Sequence, residues 1–252
     1  EDAVAEIARA LGRHRESGAR DATLVALLQM RAALSRARHE ASAAVEDLEV
    51  ALAVGHELHD AALVADVEAA LTAALVEARD LAIGAGDEAT RRASTLRLVA
   101  LYALRDPSAA REELSAWVEH DATDREALLR LRDMDVASER WDGVAHDCAR
   151  LLGVTEGEEQ VEVALLLADS SEKAGVPHYA KEGLEYVCSV QPGIPALVER
   201  LRSLYEAIGA YRELADMLLA DAEGAPEEER FDLFRRAGRM LIDGLGDAQA
   251  AI

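Results

Sequence analysis

The sequence predicts an all-α protein, a right-handed α-solenoid built from antiparallel helix hairpins. The repeat is visible in two residue pairs, since Gly175 and Gly209 lie 34 residues apart and Pro192 and Pro226 share that spacing. A 34-residue period with a glycine in mid-repeat and a proline at its end is typical of stacked helical hairpins. Apolar residues also recur three to four positions apart, and no segment shows the strict alternation of a strand.

The clearest repeat unit covers residues 161–194. Its first helix carries Leu167 and Ala168 on one apolar stripe, and Gly175 then lets the chain turn. Pro177 fits the first turn of a second helix, where its missing N–H costs nothing. The same plan predicts a set of buried interior positions along the repeats, namely Leu131, Leu167, Ala168, Ala180, Leu184, Leu201 and Leu218.

The rest of the chain divides into related segments. Further hairpin units are predicted near 91–124, 125–160 and 195–228, with a partial unit over 229–252 in which Gly246, Asp247 and Ala250 begin another helix. Residues 1–90 are predicted to be irregular repeats of longer helices, with breaks near Gly18, Gly55 and Gly84–Gly86. We expect these segments to form one continuous solenoid. We also expect the chain to be a fragment of a longer protein, because it starts without Met and stops inside a helical pattern.

The composition of the chain disfavours a nucleic-acid partner and a membrane span. Asp and Glu number 49 against 27 Lys and Arg, and the net charge of -22 repels phosphate backbones, so we expect no nucleic-acid partner. No apolar stretch is long enough to predict a membrane span. The 2 cysteines make no disulfide framework, which favours a reducing, cytoplasmic location.

Candidate chemistry is sparse, and we predict neither an enzyme nor a cofactor or metal site. His56 and His59 share a helix face and could contact one metal, but no further ligand is indicated. The run from His146 to Cys148 cannot form a catalytic triad, because adjacent residues of a helix point to different faces. Cys148 falls on an interior repeat position, where a buried thiol behaves as a small apolar group.

The repeat resembles the tetratricopeptide repeat family. Small residues at the crossing positions Ala168 and Ala180, the glycines at the hairpin turns and the closing prolines carry the resemblance. It covers residues 91–252 and is clearest over 161–228. Arg132 and Arg202 depart from it, since each stands where a small packing residue is usual. The resemblance implies a protein-interaction scaffold without catalytic residues.

In that family the first helices line a concave groove, which implies the positions that contact a partner. Matched positions here are Glu126, Leu129, Asp133, Glu162, Leu165, Asp169, Glu172, Glu199 and Glu206. Carboxylates with leucines between them suit a basic or amphipathic protein segment. The competing interpretation is a solvated acidic surface that binds nothing there.

Two function classes remain open on the sequence. The first is the interaction scaffold, and the second is a sensor or regulatory helical-repeat domain of a larger signalling ATPase or effector. A catalytic domain outside these 252 residues would favour the second.

Overall fold

The computed structural model describes residues 2–245, in which the chain forms thirteen α-helices, one 3-10 turn and no strand. The predicted all-α helical-repeat fold is therefore confirmed for this part of the chain. No described helix combines the length and the apolar character that a membrane span requires. Residue contacts divide the chain into two compact units, Glu1–His120 and Asp121–Ile252.

The first unit contains six helices that pack in chain order, each against the next. Aspartates cap the start of α2 and α4, where Asp21 and Asp60 each accept hydrogen bonds from two backbone N–H groups. The core of this unit is built mainly from alanine, valine and leucine, as the low aromatic content predicts. The helices are α1 (Asp2–Ser17), α2 (Ala22–Ala37), α3 (Ala41–Glu57), α4 (Ala61–Ala85), α5 (Glu88–Tyr102) and α6 (Pro107–His120).

The second unit contains the most regular repeats. Asp124 caps the first helix through the Ala127 N–H, and Pro195 opens the fifth at a position that needs no donor. The helices are α7 (Arg125–Ala137), α8 (Trp141–Leu151), α9 (Gly157–Lys173), α10 (Lys181–Val190), which follows the 3-10 turn Pro177–Ala180, then α11 (Pro195–Ile208), α12 (Tyr211–Gly224) and α13 (Glu227–Leu245). The pairs α7–α8 and α11–α12 each lie inside one predicted unit, whereas in the pair α9–α10 the helix α9 begins at Gly157, before the predicted unit 161–194.

Each hairpin turn of this unit contains one residue in the left-handed region. Gly175 and Gly209 have φ of 75° and 71°, which explains the glycine at mid-repeat. Glu139 takes the same conformation between α7 and α8 with φ 52°, without being a glycine. The turn closes in the same way each time, for example by the Val176 N–H donating to the Ser171 carbonyl at 2.9 Å.

The predicted interior positions are confirmed. All seven are buried, with exposed fractions of 5% or less: Leu131, Leu167, Ala168, Ala180, Leu184, Leu201 and Leu218. Cys148 is fully buried as expected. Cys188, in the last turn of α10, is half-buried.

One predicted helix break is wrong. Gly55 lies inside α3 and is buried, and the chain turns instead at His59, whose φ is 56°. Gly55 serves close packing, because a Cβ at this position would lie 3.2 Å from Cγ2 of Val64 on α4. The breaks at Gly18 and Gly86 are confirmed, since both have positive φ at helix ends.

Two predictions about organisation remain untested. The division of the chain at residue 90 and its continuity as one solenoid stay predictions. The helix that we expected to begin at Gly246, Asp247 and Ala250 lies outside the described residues.

Candidate protein-interaction face

The nine predicted partner-binding residues lie on α7, α9 and α11, the first helices of three consecutive hairpins. The carboxylate residues are all exposed and the two leucines are half-buried. We call this set the acidic face: Glu126, Leu129 and Asp133 on α7, Glu162, Leu165, Asp169 and Glu172 on α9, and Glu199 and Glu206 on α11.

Two arginine contacts join these three helices. Arg125 of α7 donates from Nε to Oε2 of Glu159 on α9, at 3.1 Å. Arg200 of α11 reaches back to α9, where its Nη2 lies 2.9 Å from Asp169 Oδ1 and 2.7 Å from Glu172 Oε2. Each first helix is thus linked to the next by an arginine–carboxylate ion pair.

Arginines neutralise part of the acidic face. Arg130 pairs with Glu126 at 2.7 Å and Arg132 pairs with Asp133 at 2.6 Å. Arg202 lies 3.9 Å from Glu199, which makes a looser pair. Arg202 pairs more closely with Asp221 of α12, outside the acidic face, so Arg130, Arg132 and Arg200 offset about three of the seven carboxylate charges.

Two carboxylates of the acidic face lack a cationic partner among the described residues. Glu162 and Glu206 are exposed, and neither forms an ion pair with any residue in the part of the chain that the structure describes. Both lie on the helices that Arg200 joins, α9 and α11. A cationic side chain that approached this surface would find these two groups available without displacing an arginine.

The arginines are the feature that the sequence interpretation missed. Arg130 lies four residues after Glu126 and Arg202 three residues after Glu199, spacings that favour ion pairs along one helix. These two pairs were visible in the sequence. The contact of Arg200 with Glu172, 28 residues apart, depends on how two helices pack, so no local pattern indicates it.

The chemistry-bearing residues outside the acidic face do not assemble into a site. Among residues 2–245, no three His, Cys, Asp or Glu side chains are placed to hold one metal ion. His56 and His59 are exposed, and Nδ1 of His59 lies 2.8 Å from the backbone oxygen of Glu57. Burial raises the pKa of the Cys148 thiol to about 12, which keeps it protonated and unreactive near neutral pH.

Each unit contains a cleft that is lined by residues outside the acidic face. A cleft of about 620 Å³ lies between α8, α9 and α10 and is lined in part by Leu152, Tyr179 and Tyr186. Another of about 470 Å³ lies in the first unit beside Arg91 and Trp117.

The fold is a tetratricopeptide-like repeat. Three features define it: antiparallel hairpins, a turn residue in the left-handed region in each hairpin of the second unit, and buried small residues where helices cross.

No family model matches the chain, and no curated protein matches it. Several solved structures are similar in part. A crystal structure of MamA is 17% identical with a TM-score of 0.34, covering 69% of this chain and 90% of MamA. A tetratricopeptide repeat protein from Parabacteroides merdae is 16% identical with a TM-score of 0.31, covering 91% of this chain and 89% of its own.

Proposed function

We propose that this chain is a non-catalytic, cytoplasmic protein-interaction scaffold whose acidic face binds a basic or amphipathic segment of a protein partner. The observation that carries the proposal is the repetition of exposed carboxylates on α7, α9 and α11 beside the half-buried Leu129 and Leu165. Solenoid repeats commonly present such extended surfaces to partners. A nucleic acid is disfavoured as the partner because the chain carries a net charge of -22.

The expected binding mode combines charge with apolar contact. Lys or Arg side chains of the partner would pair first with Glu162 and Glu206, whose carboxylates no described residue neutralises. Apolar side chains on the same segment would cover Leu129 and Leu165, which lie between the carboxylates. An amphipathic helix presents both kinds of side chain at once, with its anchors three to four residues apart.

Charge reversal tests the proposal. The probe is a labelled Lys/Leu-rich amphipathic peptide of about 20 residues, which is roughly 30 Å long as a helix. Its affinity for the full chain is measured by fluorescence anisotropy. Glu162→Lys with Glu206→Lys should weaken binding about tenfold or more, which corresponds to about 1.4 kcal/mol.

A matched control separates the acidic face from the general negative charge. Glu182 on α10 and Asp216 on α12 are exposed carboxylates on second helices, and no described residue forms an ion pair with them. Glu182→Lys with Asp216→Lys changes the net charge equally and should weaken binding far less. Equal losses in the two double variants would mean that the peptide responds only to total charge.

Charge reversal at a second pair of carboxylates would also disturb ion pairs within the chain. Asp133→Lys with Asp169→Lys should also weaken the peptide, as the acidic face requires. It leaves Arg200 with one carboxylate partner instead of two and Arg132 beside a like charge. Glu162 and Glu206 are therefore the better positions for the decisive test.

The alternative function, a sensor or regulatory domain of a larger signalling ATPase or effector, uses the same helical repeats. It differs in requiring a nucleotide-hydrolysing or effector domain in the same polypeptide, outside these residues. Identification of such a domain in the flanking sequence would make the acidic face a regulatory surface within that protein.

A further inference from the structure

The last described helix, α13, leaves an apolar stripe uncovered. Its inner side packs Ala237 and Leu241 against Ala215 and Leu218 of α12. On another side Phe231, Phe234 and Ile242 are 72%, 46% and 48% exposed. Exposed apolar side chains that form a contiguous patch mark interaction surfaces.

The three residues lie on one stripe of the helix. Phe234 lies three positions after Phe231, and Ile242 lies eleven positions after Phe231. Both spacings return to nearly the same side of a helix with 3.6 residues per turn. Gly238 falls on the same stripe between Phe234 and Ile242, and because it has no side chain nothing projects from the helix at that point. A second helix could therefore approach α13 closely along this stripe.

Acidic and basic residues are unevenly distributed along α13. The first turn carries Glu227, Glu228 and Glu229, and Arg235, Arg236 and Arg239 lie from the middle of the helix onward, with Arg230 and Asp232 between the two groups. An antiparallel copy of the same helix would place the acidic first turn of one beside these three arginines of the other. A parallel copy would place like charges together, which is unfavourable.

We propose that a second copy of this chain covers Phe231 and Phe234 of the stripe, with the two α13 helices packed antiparallel about a two-fold axis. The register that brings Glu228 opposite Arg239 of the other copy also brings Asp232 opposite Arg235, residues that already pair within each helix at 2.6 Å. In that register Phe231 and Phe234 lie near the axis, Ile242 lies opposite the residues that precede the other α13, and these four charged residues fall on one flank of the stripe by the helical period. Charge and apolar contact thus select the same arrangement. This dimer goes beyond the proposed partner binding and does not depend on it.

The mass of the full chain in solution tests this arrangement. Light scattering coupled to size exclusion should give twice the monomer mass of 27.1 kDa at micromolar concentration. Phe231→Asp should weaken the dimer about thirtyfold or more, the loss typical of a central aromatic contact. Leu104→Asp is the matched control, because Leu104 is 94% exposed in the first unit and should leave the dimer intact.

A charge exchange tests the register. Glu228→Arg and Arg239→Glu should each weaken the dimer, and the two together should restore it, because the pair forms between copies. Far-UV circular dichroism of each variant should match the wild type, since both residues are exposed. A wild-type chain that is monomeric up to about 100 μM, a concentration above most specific homodimer constants, would overturn the proposal, as would a dimer that Phe231→Asp does not weaken.

Discussion

Arg200 and Asp169 join two consecutive repeats, with Nη2 of the arginine 2.9 Å from Oδ1 of the aspartate. The same guanidinium contacts Glu172 at 2.7 Å, so one side chain of α11 holds two carboxylates of α9. The arginine side chain is 22% exposed, whereas the carboxylate side chains are 60% and 66% exposed. The pair therefore links the repeats and lowers the negative charge that a partner would meet.

Removal of this arginine should strengthen binding of a basic peptide. Arg200→Met keeps much of the apolar stem but frees Asp169 and Glu172, so we expect the affinity for the Lys/Leu-rich peptide to rise about threefold to tenfold, the scale of one exposed charge pair. The free energy of unfolding should fall by no more than about 1 kcal/mol, because the carboxylates are exposed. Anisotropy titration and urea unfolding measure the two effects.

Arg125→Met is the control for Arg200→Met. Arg125 also joins two first helices, through Glu159, but neither residue belongs to the acidic face. It removes the same charge and should change peptide affinity less. If both variants gain affinity equally, total charge rather than the freed carboxylates explains the gain.

Truncation of a core leucine should open the second unit selectively. Leu167→Ala removes a side chain that is 1% exposed, and such changes cost about 2–5 kcal/mol. Because contacts cluster within units and repeats contact their neighbours, hydrogen exchange should speed up within residues 125–228. Leu219→Ala, at a position 36% exposed, should have a small effect. Equal acceleration in residues 2–60 would contradict local opening.

The fold was predictable because its turns impose residue types at fixed intervals. Gly175 and Gly209 both have positive φ, and this conformational requirement is what makes the period visible in sequence. The turn at Glu139 needs the same conformation but uses a residue that gives no signal. Gly55 misled the prediction for the opposite reason, since its small size serves a helix contact rather than a turn.

The acidic face was only partly predictable. Its residues follow from the repeat register, and the carboxylates are exposed as that register requires. The compensation by Arg200 was not visible, because it depends on side chains from two helices that meet only in the folded repeat. Likewise, the pattern of α13 predicts an amphipathic helix, but which apolar residues stay uncovered depends on its packing against α12.

Gly183 should be required for close packing of α10. A Cβ at this position would lie 2.5 Å from Cδ2 of Leu167 and 2.9 Å from Cδ1 of Leu152, and both leucines are buried. Gly183→Ala should therefore destabilise the chain by about 1–3 kcal/mol, although alanine has a higher helix propensity than glycine. Gly84→Ala in α4 meets nothing within 4 Å and should be neutral or stabilising. Urea unfolding compares the two, and equal stabilisation would refute the packing role.

Alkaline pH should destabilise the chain partly through Cys148. Burial raises the pKa of its thiol from 9.0 to about 12 in the folded chain. Between these values the unfolded chain holds fewer protons than the folded one, so the free energy of unfolding falls as pH rises through that range. Cys148→Ala lowers stability at neutral pH but should flatten this fall. Urea unfolding gives the free energy of unfolding of the wild type and of Cys148→Ala between pH 8 and 10, a window of about two pH units. If this free energy falls equally steeply with pH in both proteins, Cys148 does not contribute.

Carboxylate footprinting of the peptide complex tests the central claim most directly. The full chain is labelled with a carbodiimide and an amine, with and without saturating Lys/Leu-rich peptide, and each modified residue is quantified by mass spectrometry. Bound peptide should protect Glu162 and Glu206 on the first helices, while Glu182 and Asp216 on the second helices label at unchanged rates. Protection that is absent from Glu162 and Glu206, or equal at all four residues, would contradict binding at the acidic face.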